Sequence, residues 1–260
     1  MNALKKLPLR LFGFLVALWL IVPTLVVVPL SFTDRNSFTF PPPGWSLTYY
    51  RRFFTDPQWF GALLNSVQLG LMVTVLATVL GVAASFALVR SRFFGRGAVN
   101  GALMSPMMVP GIIVAIAVYT AFLGWHLVGT PQGYVLAHTI LALPFVIVSV
   151  TASLRTFDRR LEQAAANLGA GPLATFRQVT LPLLLPGIAS GAVFAFVTSF
   201  DEVVVSLFIQ SPSLQTLPVK MFTSVTNEID PTIGAASSLI VAFTTLLVLI
   251  PQLVRRSNAN

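Results

Sequence analysis

The sequence predicts an all-α polytopic membrane protein with six transmembrane helices. Three observations carry that expectation. First, 55% of the 260 residues are apolar and only 9% are charged, 16 Lys/Arg against 8 Asp/Glu, whereas a soluble domain carries roughly 25% charged residues. Second, the apolar residues fall into six runs, at 11–30, 63–89, 102–124, 134–154, 187–209 and 233–254. Each is long enough to cross about 30 Å of hydrocarbon at about 1.5 Å per residue. Third, the basic residues punctuate these runs instead of gathering on one soluble face. The net charge of +8 is therefore topological information, and no nucleic-acid partner is expected. The absence of cysteine excludes a disulfide framework and thiolate chemistry, and two isolated histidines do not make a metal site.

The run at 11–30 follows Lys5, Lys6 and Arg10. A secretory signal has an apolar stretch of about 7–15 residues and a small-residue cleavage site. This run is longer and enters Ser31 to Asp34 without such a site, so it reads as an uncleaved first helix. Counting Lys and Arg in the connections then orients the chain. With the N-terminus inside, twelve fall on the cytoplasmic side: Lys5, Lys6, Arg10, Arg90, Arg92, Arg96, Arg155, Arg159, Arg160, Arg177, Arg255 and Arg256. Four fall outside: Arg35, Arg51, Arg52 and Lys220. Both termini are expected in the cytoplasm. Trp45, Tyr49, Tyr50 and Trp59 in the first external loop read mainly as an interfacial aromatic belt, with docking of an external binding protein as the alternative use.

The connection at 155–186 is about 30 residues long and patterned. Asp158 can cap a helix from Arg159 to Leu168, with Gly169 at the left-handed C-terminal position that glycine tolerates best. Pro172 can open a second short helix, which Pro182 closes. Leu161, Ala164, Ala165 and Leu168 share one narrow apolar face of the first helix, suited to a groove on another protein.

This segment resembles the coupling motif of the permease subunits of binding-protein-dependent ABC importers: Glu-Ala-Ala, three residues, Gly, nine residues, then Ile-x-Leu-Pro. Here the motif reads Gln163-Ala164-Ala165, Gly169 and Val179-Thr180-Leu181-Pro182 with the spacing kept. Gln163 stands where the motif has glutamate, and Glu162, one position earlier, offers the carboxylate. The resemblance implies the type I (MetI-like) importer architecture, with an N-terminal helix and external loop at 1–62, a core at 63–254 and a tail at 255–260. It implies ATPase coupling through Glu162, Gln163, Ala164, Ala165, Gly169, Leu181 and Pro182. It also implies a bacterial inner-membrane protein with two ATPase subunits, a second homologous permease and an external binding protein as partners. The chain lacks a phosphate-cradling Gly-rich loop followed by Lys-Ser/Thr, so it is expected to be non-catalytic and without a cofactor of its own, ATP and Mg being held by the ATPase partners. Asn65-Ser66, Ser105 to Gly111, Ser199 to Ser206 and Thr216 to Pro218 resemble the polyamine (spermidine and putrescine) branch. Importers of iron, phosphonates or amino-acid-like solutes share much of that pattern. A secondary transporter, the rival class, commonly shows a doubled layout with broken helices.

Asp201 and Glu202 are the only carboxylates inside a predicted span, where each costs on the order of 2.5–3.5 kcal/mol. With Thr198 and Ser206 they form a polar stripe at helical spacing. One reading is a cation path, with Tyr119 and Trp125 as aromatic contributors; the other is neutralisation by a basic residue of a partner subunit. Gly187, Gly191 and Ala195 form a small-xxx-small series for close helix packing. His126 and His138 read as structural, hydrogen-bonded histidines. The external stretch 211–231, with Lys220, Glu228 and Asp230, is long enough for a gate or contact element.

Overall fold

In the computed structural model the backbone is described for residues 2–227 and 230–257, and the side chains for residues 10–22, 24–227 and 230–246. The side chains of Lys5, Lys6, Glu228, Arg255 and Arg256, used above, lie outside the described residues. Among the described residues twelve α-helices follow one another: α1 Asn2–Leu30, α2 Thr48–Thr55, α3 Pro57–Arg90, α4 Arg96–Met104, α5 Gly111–Gly124, α6 Pro131–Thr156, α7 Arg160–Asn167, α8 Pro172–Thr175, α9 Leu181–Phe200, α10 Val204–Ile209, α11 Leu217–Asn227 and α12 Thr232–Ser257. No strand occurs among the described residues.

Among the described residues, four segments are long and apolar enough to cross a membrane: Arg10–Leu30, Pro57–Arg90, Pro131–Thr156 and Pro172–Phe200. A fifth is obtained if Arg96–Met107 and Gly111–Gly124, bent by 103° at their junction, form one span. The last apolar helix is described with side chains over Thr232–Leu246. The expected count of six is thus met in part, and two of the expected spans are not single straight helices.

The run at 102–124 is the first of these. Pro110 takes an extended backbone, φ −54° and ψ 132°, and a proline drives the residue before it away from helix. The 3₁₀ turn Ser105–Met107, with Pro106 inside it, loosens the preceding end. The run at 187–209 is the second. It stops at Phe200 and resumes at Val204. Glu202 Oε1 accepts the backbone N–H of Val205 at 2.7 Å, satisfying a donor that the break exposes, as a helix cap does. Uniform hydropathy cannot reveal such a break.

Pro182 does not close a short helix, contrary to expectation. A five-residue π turn, Phe176–Thr180, links α8 to α9, so that Pro172–Phe200 runs on as one span. The backbone N–H of Leu181 reaches back to Phe176 O. Proline offers no N–H and crowds the carbonyl four residues before it; the wider turn relieves that crowding.

Two compact units are formed, Met1–Gly61 with Lys220–Asn260, and Ala62–Val219. In the first, Trp59 is fully buried and its Nε1 donates to Asp230 Oδ2 at 3.3 Å, while Arg52 lies 3.8 Å from Asp230. Gly234 lets α12 approach Ser31, where an added Cβ would sit 3.2 Å from the Ser31 Cα. Ser31 in turn pairs with the Tyr50 hydroxyl at 2.7 Å. Tyr49 and Trp59 are therefore packing residues and not an exposed belt; of the four expected belt residues, Trp45 is the one that stands well exposed.

In the second unit α3, α6 and α9 share a core of Val73, Ala77, Ala142, Val146, Val150, Leu154, Leu184 and Ala195. The small-residue series serves this packing. An added Cβ at Gly191 would stand 3.1 Å from the Val146 Cα, and one at Gly187 would stand 2.8 Å from the Ser153 Cβ. A second cluster joins α5, α6 and α10 through Ala115, Phe122, Tyr134, Ala137, Val205 and Ile209.

Candidate functional site

The first helix of the 155–186 segment is built as its residues require. Asp158 Oδ1 accepts the Arg160 N–H at 2.9 Å, which starts α7. At its far end Gly169 adopts φ +85°. The Gly169 N–H bonds Ala166 O at 2.9 Å and the Ala170 N–H bonds Ala165 O at 3.0 Å, the paired closure of a glycine-terminated helix. The sequence expectation extends the helix by one residue at each end.

Glu162 is the residue that fixes α7. Arg90 Nη2 donates to Glu162 Oε1 at 2.8 Å and Nη1 to Oε2 at 3.1 Å. The Thr180 hydroxyl also donates to Oε1. The guanidinium lies over Phe86 at 4.8 Å and near Phe157 at 5.6 Å. One carboxylate thus joins the end of α3, the surface helix α7 and the π turn entering α9. Partial burial pushes the Glu162 carboxyl up, but the Thr180 hydroxyl and the Arg90 guanidinium outweigh it and hold the group below the usual glutamate range. Arg90, read from sequence only as an orientation charge, and Thr180, an unassigned position within the motif, are the residues that sequence reasoning missed. Their signal is weak, because the partner carboxylate lies 72 positions away from Arg90.

Gln163, the motif-glutamate position, is exposed, as are Ala164 and Gly169, while Ala165 is half-buried. Leu161 is 45%, Leu168 89% and Leu173 80% exposed. They make an apolar surface carried by α7, its C-terminal end and α8. Leu181 and Pro182 stand apart from that surface, at the start of α9, where Pro182 occupies the first turn. Beneath α7 a cavity of about 520 Å³ is lined by Phe86, Arg90, Glu162, Phe176 and Thr180 among others.

The carboxylates at 201 and 202 have separate surroundings. Asp201 ends α9 and is exposed. Glu202 is half-buried and caps α10. Ser206 does not extend their stripe: it is fully buried and bonds His138 Nε2 at 3.0 Å, while His138 Nδ1 bonds Ser199 Oγ at 3.0 Å. His138 therefore bridges α9 and α10 across the break, in the structural role expected of it. Thr198 is half-buried in the last turn of α9. Tyr119 packs edge-on against Phe208 of α10, with 6.2 Å between ring centres. Trp125 follows the end of α5, well exposed, 6.0 Å from Phe122. The structure brings Tyr119 to the helix that Glu202 caps and leaves Trp125 with Phe122. No group of three or more metal-ligating side chains occurs among the described residues.

Long apolar helices, two of them bent or broken, together with an exposed short helix stapled to a span by Arg90 and Glu162, are the features of a multi-pass membrane component. Residues 77–258 match the family described as the binding-protein-dependent transport system inner membrane component, and the chain belongs to that family. It is 34% identical over 251 residues to the spermidine/putrescine transport system permease protein PotC of Haemophilus influenzae, covering 95% of this chain and 96% of the relative. It is 32% identical to the putrescine transport system permease protein PotI of Escherichia coli K12, covering 90% and 85%. A bacterial alginate ABC transporter, crystallised with an alginate pentasaccharide-bound periplasmic protein, contains a chain of the same fold. The TM-score is 0.71 at 14% identity, over 95% of this chain and 93% of that one.

Proposed function

We propose that this chain is the membrane permease subunit of an ATP-driven polyamine importer with both termini in the cytoplasm. The observation that carries the reading is the near full-length similarity to permeases named for spermidine and putrescine. The exposed apolar surface of α7 supports the energy-coupling half. Two ATPase subunits, holding ATP and Mg, cover Leu161 and Leu168. Their closure pushes α7, and Glu162 transmits the movement to α3 and α9 through Arg90 and Thr180. The chain performs no chemistry itself; a second homologous permease completes the path and an external binding protein delivers the solute.

The substrate fits the charges. A polyamine carries several ammonium groups on a flexible chain, and carboxylates and aromatic faces compensate them. In this reading Asp201 is the free carboxylate of the path, Glu202 supplies field while holding α10, and Thr198, Tyr119 and Trp125 contribute polar and aromatic contacts.

The assembled complex, with its ATPases, second permease and binding protein in proteoliposomes, tests the proposal by uptake of radiolabelled spermidine and putrescine. ATP-dependent uptake is expected, with Asp201→Asn lowering it several-fold. Uptake of another solute class with no polyamine transport overturns the substrate assignment.

A further inference from the structure

A second polar cavity lies at the ends of two spans, away from the α7 surface. It measures about 240 Å³ and is lined by Arg96, Asn100, Thr151 and Arg155 together with Leu88 and Val89. Leu88 and Val89 belong to the last turn of α3, and Thr151 and Arg155 to the last turns of α6. Both spans therefore end on the same side here, the side to which the Lys/Arg count assigns the cytoplasm.

The charge in this cavity is uncompensated. No Asp or Glu occurs from residue 57 to residue 157. Glu162 is engaged by Arg90, and among the described residues neither Arg96 nor Arg155 has an ion-pair or hydrogen-bond partner. The Thr151 hydroxyl, also in the lining, is buried and without a partner. Two guanidiniums, an amide and a hydroxyl without an acceptor form a donor-rich set. Forked guanidinium donors suit the tetrahedral oxygens of a phosphate. The surroundings suit a lipid. Phe93 and Phe94, between Arg92 and Arg96, are exposed, Phe94 completely, and aromatic residues flanked by arginine favour the headgroup boundary of a bilayer.

We propose that this cavity binds a phosphate-bearing anion, held by Arg96 and Arg155 with Asn100 and Thr151, and that its source is the headgroup of an anionic phospholipid. The apolar edge of Leu88 and Val89 accommodates the start of the acyl region, and the bound headgroup ties α4 to the ends of α3 and α6.

The test uses the purified full-length chain, stripped of lipid in detergent and titrated with dioleoylphosphatidylglycerol, dioleoylphosphatidylcholine or inorganic phosphate, with retained molecules counted by native mass spectrometry. Phosphatidylglycerol is expected to be retained in preference to phosphatidylcholine. Its affinity should fall about fivefold for each of Arg96→Gln and Arg155→Gln, the factor corresponding to about 1 kcal/mol per basic residue, with Lys at both positions restoring only part of it, because an ammonium keeps the charge and loses the fork. Retention of inorganic phosphate with the same arginine dependence supports the anion site and reassigns its source to a soluble oxyanion. Equal retention of the two lipids by the unsubstituted protein, or phosphatidylglycerol binding indifferent to both substitutions, overturns the proposal. The lipid comparison needs no variant and decides the matter even if a substituted chain does not fold. Because no substrate or ATPase is present, the outcome is independent of the transport reading.

Discussion

Arg90 and Glu162 meet end to end, Nη1 donating to Oε2 at 3.1 Å and Nη2 to Oε1 at 2.8 Å. Their side chains are only 24% and 21% exposed, so this is no loose surface pair. The geometry converts a helix of eight residues, too short to hold itself in water, into a rigid projection of the spanning helices. A mutational cycle over Arg90→Ala and Glu162→Gln, read by thermal unfolding in detergent, is expected to give a coupling energy of about 1–2 kcal/mol, between values for exposed pairs and fully buried ones. Arg90→Lys should recover less than half of it, because an ammonium cannot make the forked contact.

The same pair has a defined pH window. The Glu162 carboxyl is held below its ordinary value of 4.5 by Thr180 and Arg90 against the opposing effect of burial. A lowered native value means that the contribution is complete above the unfolded-state value and is lost as pH falls through the native one. The coupling energy between Arg90 and Glu162 is therefore expected to be flat from about pH 8 to about pH 5 and to decline only in more acid solution. A decline already present at neutral pH contradicts the assignment.

Gly169 has open space around the position of a missing Cβ, so a side chain there meets no neighbour. Its φ of +85° is the constraint. Gly169→Val is expected to destabilise the end of α7 by about 1–2 kcal/mol and Gly169→Asn by less, since asparagine tolerates this backbone region better. Hydrogen exchange at the amides of residues 168–170 reads the difference directly. ATPase coupling in the assembled transporter should fall in the same order.

Four of the spans, Asp158 and Gly169 are legible because their signals are local: hydropathy, an Asx residue and a glycine at fixed offsets. The four failures are equally instructive. The break at Asp201 depends on Glu202 folding back to the Val205 N–H, a choice between two backbone states that an apolar run does not encode. The π turn before Pro182 compensates a proline, which by rule ends a helix, by changing the hydrogen-bond register. The Arg90–Glu162 contact joins residues far apart in sequence, and only the folded core of α3, α6 and α9 brings them together. Trp59 has the composition of a belt residue, yet its indole N–H donates to Asp230 in a packed corner; aromatic composition does not separate the two settings.

His138 links Ser199 and Ser206 across the interruption between α9 and α10. His138→Phe keeps approximate volume and removes both bonds, leaving two buried hydroxyls unpaired at about 1–3 kcal/mol each. A loss of about 2–4 kcal/mol in unfolding free energy is expected. The triple change with Ser199→Ala and Ser206→Ala should be less destabilised than His138→Phe alone, because no polar group is then stranded. The reverse order in a detergent melt contradicts a structural bridge.

The closest approach of α6 and α9 is controlled by Gly187. A Cβ there would lie 2.8 Å from the Ser153 Cβ and 3.3 Å from Ser149 O, and the Gly187 carbonyl accepts the Ser149 hydroxyl at 2.8 Å. Gly187→Ala therefore has to push the helices apart across a core that includes Val146, Val150, Leu184 and Ala195, an overpacking cost of about 1–3 kcal/mol. Most of that clash comes from one side chain, so adding Ser153→Gly is expected to return about half of the loss, less the helix penalty of a second glycine of about 1 kcal/mol. Ser149→Ala, which removes the hydroxyl that bonds the Gly187 carbonyl, should give no such relief, because the nearest contact of the new methyl is with Ser153. Unfolding midpoints of the single and double variants decide it: rescue by Ser153→Gly and not by Ser149→Ala identifies steric contact at Gly187, and equal behaviour of the two indicates that the glycine serves chain flexibility instead.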